Sequence, residues 1–132
     1  MRILIIDDEM TALIKMKALL GAYGECTCVT NGFQALEQCA TAIKNGTLFD
    51  LITIDIQLPK ASGFEVLSAI NKLEKDREVP ASCKIMVTAS GTKSNLLKAA
   101  TKGCNGFMVK PVKKDTLDEK MASLGFAKNR EA

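Results

Sequence analysis

Histidine and tryptophan are absent from this chain of 132 residues, and tyrosine occurs once. Without histidine there is no Ser-His-Asp or Cys-His relay, no His-containing zinc site and no phosphohistidine made on the chain itself. Long apolar runs are missing too. The longest, such as Ile3–Ile6, has four residues, far short of the roughly 20 that a membrane-spanning helix needs. Met1-Arg2 leads into those aliphatics and then into Asp7-Asp8-Glu9, which leaves no secretory h-region. The five cysteines (Cys26, Cys28, Cys39, Cys83 and Cys104) are odd in number and form no C-x-x-C pair, so reduced core thiols are expected. Cys26 and Cys28 would share one face of a strand. The expectation is a soluble, cytoplasmic protein with no membrane insertion.

The net charge of +3 is too small to argue direct nucleic-acid binding, but it is unevenly spread. Residues 1–83 carry 8 Lys/Arg against 11 Asp/Glu, and residues 84–132 carry 10 against 4. Either the second half has basic solvated helix faces, or an acidic pocket in the first half complements a basic docking face in the second. Length and an apolar content of 47% suit one domain with one core system.

Short β-type runs alternate with helical spacing from end to end. Ile3–Ile6 is a continuous apolar run, the pattern of a strand covered on both faces, and Leu51–Ile54 reads as a buried strand running into Asp55. Cys26–Thr30, Ile85–Thr88 and Phe107–Val109 read as the other strands. Helical stripes lie between them: Ala12, Leu13, Met16, Leu19 and Leu20; Leu36, Cys39, Ala40 and Ile43; Phe64, Leu67 and Ile70; Leu96, Leu97 and Ala100; Leu117, Met121 and Leu124. Asn31-Gly32 reads as a turn, Ser62 or Gly63 as a helix start, and the charged stretch Glu74–Ser82 as the longest loop. Five βα units in succession predict an α/β fold: a doubly wound five-stranded parallel sheet with helices on both faces.

In such sheets ligands bind beyond the carboxyl ends of the strands. Those ends carry Asp7 and Asp8 after the first strand, Asp55 after the third, Thr88 after the fourth and Lys110 after the fifth. Each alone could cap a helix or sit in solvent; together they converge on one crevice. Clustered carboxylates repel unless a cation compensates, and hard oxygen donors select Mg²⁺ or Mn²⁺. Lys110 offers a mobile positive charge to Asp55 or to a phosphoryl group on it, and Thr88 can donate a hydrogen bond. This is equipment for phosphoryl transfer with a carboxylate nucleophile.

Four motifs in order resemble the receiver domain of two-component response regulators (the CheY-like superfamily, of flavodoxin-like fold). They are Ile-Leu-Ile-Ile-Asp7-Asp8-Glu9, the run from Asp55 through Pro59 and Gly63 to Leu67, Val87-Thr88-Ala89, and the run from Gly103 through Phe107 to Lys110-Pro111. The resemblance spans residues 1–124, leaving 125–132 as a short polar C-terminal tail. It implies a signalling phosphoacceptor rather than an enzyme, limited to Mg-dependent self-phosphorylation and slow autodephosphorylation at Asp55. Asp7, Asp8, Asp55 and the Gln57 backbone carbonyl would ligate the metal, and Lys110 and Thr88 would hold phosphoryl oxygens. Ala89 would keep Asp55 accessible. Thr88 and Phe107 would form the switch, and Lys110-Pro111 would be cis. The implied donor is a histidine kinase or histidine phosphotransfer protein, docking on the first helix near Lys15 and Lys17. The implied output is a protein partner or self-dimer on the face of the fourth helix, fifth strand and last helix, where Lys98, Lys102, Lys113 and Lys114 could gather positive charge.

Two other functions share the fold class. A flavodoxin-like FMN carrier needs a hydroxyl- and glycine-rich phosphate cradle after the first strand, where Asp7-Asp8-Glu9 would repel a phosphate. An aspartate-based phosphatase needs a second acid two residues beyond its nucleophile, where this chain has Gln57.

Overall fold

Ile3, Leu4, Ile5 and Ile6 are each no more than 1% exposed, which requires cover on both faces of their strand. Alternation sends Ile3 and Ile5 to one side and Leu4 and Ile6 to the other, into two separate apolar clusters. The computed structural model describes residues 1–129. Its strands are β1 (Arg2–Ile6), β2 (Glu25–Val29), β3 (Leu51–Asp55), β4 (Cys83–Thr88) and β5 (Gly106–Val109). The helices that alternate with them are α1 (Met10–Leu20), α2 (Gly32–Asn45), α3 (Gly63–Asp76), α4 (Lys93–Thr101) and α5 (Lys114–Ser123). All four strand pairings are parallel, in the order β2-β1-β3-β4-β5. This is the expected doubly wound sheet. Residues from α2, α3 and α4 fill one cluster, and residues from α1 and α5 fill the other. The chain winds outward from β1 to β2 and then crosses to β3, so the topological switch lies between the ends of β1 and β3.

Side-chain caps fix several helix starts. Asn31 accepts the Gln34 N–H at 2.8 Å, Ser62 accepts the Glu65 N–H at 3.3 Å, and Thr92 accepts the Asn95 N–H at 3.1 Å. Asn31-Gly32 is therefore a helix entry and not the expected turn. Asn favours both roles, and here the capped N–H of α2 decides between them. α2 closes at Gly46, whose φ of 70° is left-handed.

The expected Glu74–Ser82 loop is shorter than its sequence suggests, because α3 runs through Glu74 to Asp76. Glu74 and Lys84 are buried as an ion pair. The Glu74 carboxylate also accepts from the Ser82 N–H at 3.0 Å and the Ser82 hydroxyl at 2.6 Å, and Lys84 Nζ donates to the Ser82 carbonyl at 3.0 Å. Glu74, expected in the loop, is instead the helical end of an internal pair whose other end, Lys84, lies in β4.

The structure refines the fourth helix and corrects the second strand. Leu96, Leu97 and Ala100 do lie on a helix, but all three are exposed, and Ala99 is the buried residue of α4. The strand holding Cys26 and Cys28 is Glu25–Val29, shifted by one residue from the expected run, and it lies at the edge of the sheet. Cys26 packs partly against the α1/α5 cluster, whereas Cys28 is exposed, so it is not a core thiol. After α5 the chain turns back: Phe126 packs against that same cluster, the Asn129 N–H donates to the Ala22 carbonyl at 2.7 Å, and Lys128 reaches Asp118 at 3.0 Å. Tyr23 donates to the same Asp118 at 2.7 Å. No helix among the described residues is long and apolar enough to cross a membrane.

Candidate functional site

The ends of β1, β3 and β5 deliver their charges to one place. One carboxylate oxygen from each of Asp7, Asp8 and Asp55 lies within 4.8 Å of the others. Asp7 and Asp55 are buried, at 3% and 5% exposure, while Asp8 is exposed. Lys110 Nζ donates to Asp7 Oδ2 at 2.6 Å and stands 3.5 Å from Asp55 Oδ2 and 3.7 Å from Glu9 Oε1. Its main partner is thus Asp7 rather than the expected Asp55. The Lys110–Pro111 peptide bond is cis. A cleft of about 200 Å³ opens over these groups, lined by Asp8, Glu9, Asp55, Gln57, Ala89 and Lys110.

The two buried carboxylates are held differently. Asp7 is engaged on both oxygens, by Lys110 on Oδ2 and by the Glu9 N–H on Oδ1 at 3.0 Å. Asp55 Oδ1 accepts the Gln57 N–H at 3.2 Å, and Oδ2 has only the more distant lysine. Burial, followed by the neighbouring Asp7 charge, pushes the Asp55 carboxyl up to about 6, against the opposing pull of Lys110 and the Gln57 N–H. Lys110 moves upward as well: burial alone would lower it, but the Asp7 hydrogen bond and the charges of Asp55, Asp7 and Glu9 together outweigh that. The crevice therefore carries more negative charge than one ammonium offsets.

Its walls are tightly built. A Cβ on Gly63 would lie 2.2 Å from the Asp55 carbonyl oxygen, so only glycine lets the start of α3 pack beneath the end of β3. The Gly63 N–H donates to the Ile56 carbonyl at 2.7 Å, closing that loop. Thr88 is fully buried at the end of β4, its Oγ1 accepting the Ser90 N–H at 3.0 Å. The register sets Asp55 opposite Val87, so Thr88 stands one residue further along the adjacent strand. Phe107 lies opposite Met86, half-buried against the α2/α3/α4 cluster.

The donor set fits a hard divalent cation. Three carboxylates in reach of one another, with no thiol or imidazole among them, suit Mg²⁺ or Mn²⁺, and the open cleft leaves positions for water. Such a cation must compete with the proton on Asp55. Mg²⁺ affinity should therefore hold above about pH 6 and fall roughly tenfold per pH unit below it. Chemical-shift titrations across that range check this, and an affinity indifferent to pH would count against Asp55 as a ligand.

The structure thus brings Asp7, Asp8, Asp55, Gln57 and Lys110 together at the cleft, whereas Thr88 is buried at the end of the adjacent strand and does not line it, and Phe107 lies beyond on β5. Sequence reasoning assigned no role to Glu9, whose N–H fixes Asp7, or to Ser90, whose N–H fixes the Thr88 hydroxyl. The signal for Glu9 was its adjacency to the acid pair. Backbone donors such as that of Ser90 leave no trace in residue type.

Comparison with known proteins agrees with this geometry. A family model described as the response regulator receiver domain matches residues 3–122. Chemotaxis protein CheY-3 of Vibrio cholerae is 33% identical over 124 residues, covering 92% of this chain and 88% of that protein. The two-component response regulator ARR2 of Arabidopsis thaliana is 32% identical over 120 residues, covering 89% of this chain but only 16% of the relative. Among solved structures, the CheX–CheY–BeF3–Mg²⁺ complex from Borrelia burgdorferi has a chain 25% identical with a TM-score of 0.78, covering 93% of this chain and 87% of that one.

Proposed function

The chain belongs to the response regulator receiver domain family, and from that premise we propose that it accepts a phosphoryl group on Asp55 and thereby changes which partner it binds. One observation carries the reading. Among the buried carboxylates of the described residues, Asp55 alone lines the cleft with an oxygen not closely bonded to a cation, beside a lysine and a small Ala89. An Asp55 oxygen attacks the donor phosphorus, and the bond from phosphorus to the leaving group breaks with its electron pair departing on that group. Asp7, Asp8, Asp55 and the Gln57 carbonyl would hold Mg²⁺, which supplies charge neutralisation for the crowded oxygens. Lys110, moving from Asp7 toward Asp55, and the Thr88 hydroxyl would bind the phosphoryl oxygens.

These 132 residues include no histidine, so a phosphohistidine donor, on a kinase or phosphotransfer protein, lies outside them. Its docking on α1 is supported by Met10 and Ile14, which are 64% and 63% exposed beside Lys15 and Lys17. Charge reversal at Lys15 should slow transfer from such a donor severalfold; an unchanged rate would move the docking face elsewhere.

For the readout, Thr88 shifting toward Asp55 would vacate space behind β4 that Phe107, having no hydroxyl, fills by apolar burial alone. The proposed outlet is a protein partner or self-dimer on the face of α4, β5 and α5. With Mg²⁺ and beryllofluoride added as a phosphoryl mimic, amide shifts should change around Asp55 and also across residues 92–114. Shifts confined to the loops around Asp55 would end the relay through Thr88 and Phe107.

A further inference from the structure

α2 and α3 enclose a groove of about 750 Å³ on the face of the sheet that also carries α4. Phe33, 77% exposed, stands at its mouth, and Leu36, Val66 and Ala69 supply more of its apolar lining. Two exposed carboxylates, Glu37 from α2 and Glu65 from α3, line it from opposite helices. Among the described residues, Lys60 is the one cation along it. A large exposed aromatic in an apolar groove is a binding feature rather than ordinary surface.

The same chain displays the complementary shape. On α4, Lys93, Leu96, Leu97 and Ala100 follow i, i+3, i+4, i+7 spacing on one outward face, the pattern of a helix that anchors in a groove. Leu96 and Leu97 are 50% and 56% exposed. α4 contains Lys93 and Lys98 and no acidic residue, and Lys102 follows it. Pairing two such helices face to face would bring like charges together. Setting one into the α2–α3 groove of another copy puts lysines beside Glu37 and Glu65 and covers Leu96 and Leu97 with Phe33.

We infer that the protein self-associates heterologously, α4 of one copy seating in the α2–α3 groove of a second. Neither surface includes Asp55, so the contact is tested on the unphosphorylated protein, with α4 serving here as well as in the proposed output face. It either closes as a reciprocal dimer or repeats head to tail. One short helix in a groove buries little area, so association belongs between about 10 µM and about 1 mM and weakens as salt rises.

Sedimentation velocity over that range tests it, using the wild type, Phe33→Glu (groove) and Leu97→Glu (helix). Both positions are exposed, and circular dichroism checks that each variant is folded. Wild type should gain mass with concentration, each variant alone should stay monomeric, and an equimolar mixture should associate through the junction that remains intact. A wild type monomeric throughout, a variant that still self-associates, or a mixture that fails to associate would each overturn the inference. If either apolar variant unfolds, Glu37→Lys and Lys93→Glu give the same readout, separately impaired and restored on mixing.

Discussion

Incubated with acetyl phosphate and Mg²⁺, the wild-type protein gains the mass of one phosphoryl group, and the Asp55→Asn protein gains none. The expectation follows from how the three acids are held. Asp7 has both oxygens occupied, by Lys110 and by the Glu9 N–H, and does not line the cleft. Asp8 is exposed, so it lacks the enclosure that would orient an attack. Asp55 lines the cleft with a freer oxygen, and an amide in its place is a far poorer nucleophile. Chelation should abolish labelling in the wild type, because the crevice holds surplus negative charge that an incoming phosphate would increase. Equal labelling of the Asn variant would remove Asp55 from the role. The same substitution should stabilise the metal-free fold at neutral pH. Burial and Asp7 raise the Asp55 carboxyl from 3.8 to about 6, so ionising it in the folded state is unfavourable. That penalty, on the order of 1–3 kcal/mol, is present above about pH 6 and fades as pH falls toward the unfolded value. The melting advantage of Asp55→Asn in a chelator should fade with it.

Lys84→Met should destabilise the protein by about 3–5 kcal/mol, a large share of the 5–15 kcal/mol typical of a domain. Lys84 is 1% exposed and bonded to Glu74 and the Ser82 carbonyl. Removing it leaves the Glu74 carboxylate in the interior with only the Ser82 donors, which do not cancel its charge. Converting both partners, Glu74→Gln with Lys84→Met, should recover most of the loss, since no buried charge then remains. Urea unfolding midpoints measure both. A single variant within about 0.5 kcal/mol of wild type would mean that solvent reaches the pair.

This pair also marks where the sequence was hardest to read. β1 was legible because a strand covered on both faces spells itself as uninterrupted aliphatics, β3 because its aliphatics are broken only by Thr53, and the acids at their ends could lie only at the sheet's carboxyl edge. The order of Asp7, Asp8, Asp55, Thr88 and Lys110 therefore located the crevice before any coordinates. Glu74 and Lys84 misled because residue type reports charge and not whether a partner waits across the core. Leu96 and Leu97 correctly revealed a helix, but periodicity cannot say whether the apolar side faces the sheet or another molecule. The preference of Lys110 for Asp7 over Asp55 depends on differences of about an ångström that no motif encodes.

Cys28 offers a practical handle. With no tryptophan the protein is nearly silent in the fluorescence normally used to follow ligand binding. Of its five thiols this one is exposed, the others being buried or half-buried, and burial holds Cys39 up to about 12. A maleimide dye should therefore attach first on β2. From there it neighbours Val29, whose carbonyl accepts the Asp7 N–H at 3.2 Å. An optical reporter at that position would sit one residue from a direct backbone link to the acidic crevice, at the opposite edge of the sheet from β5.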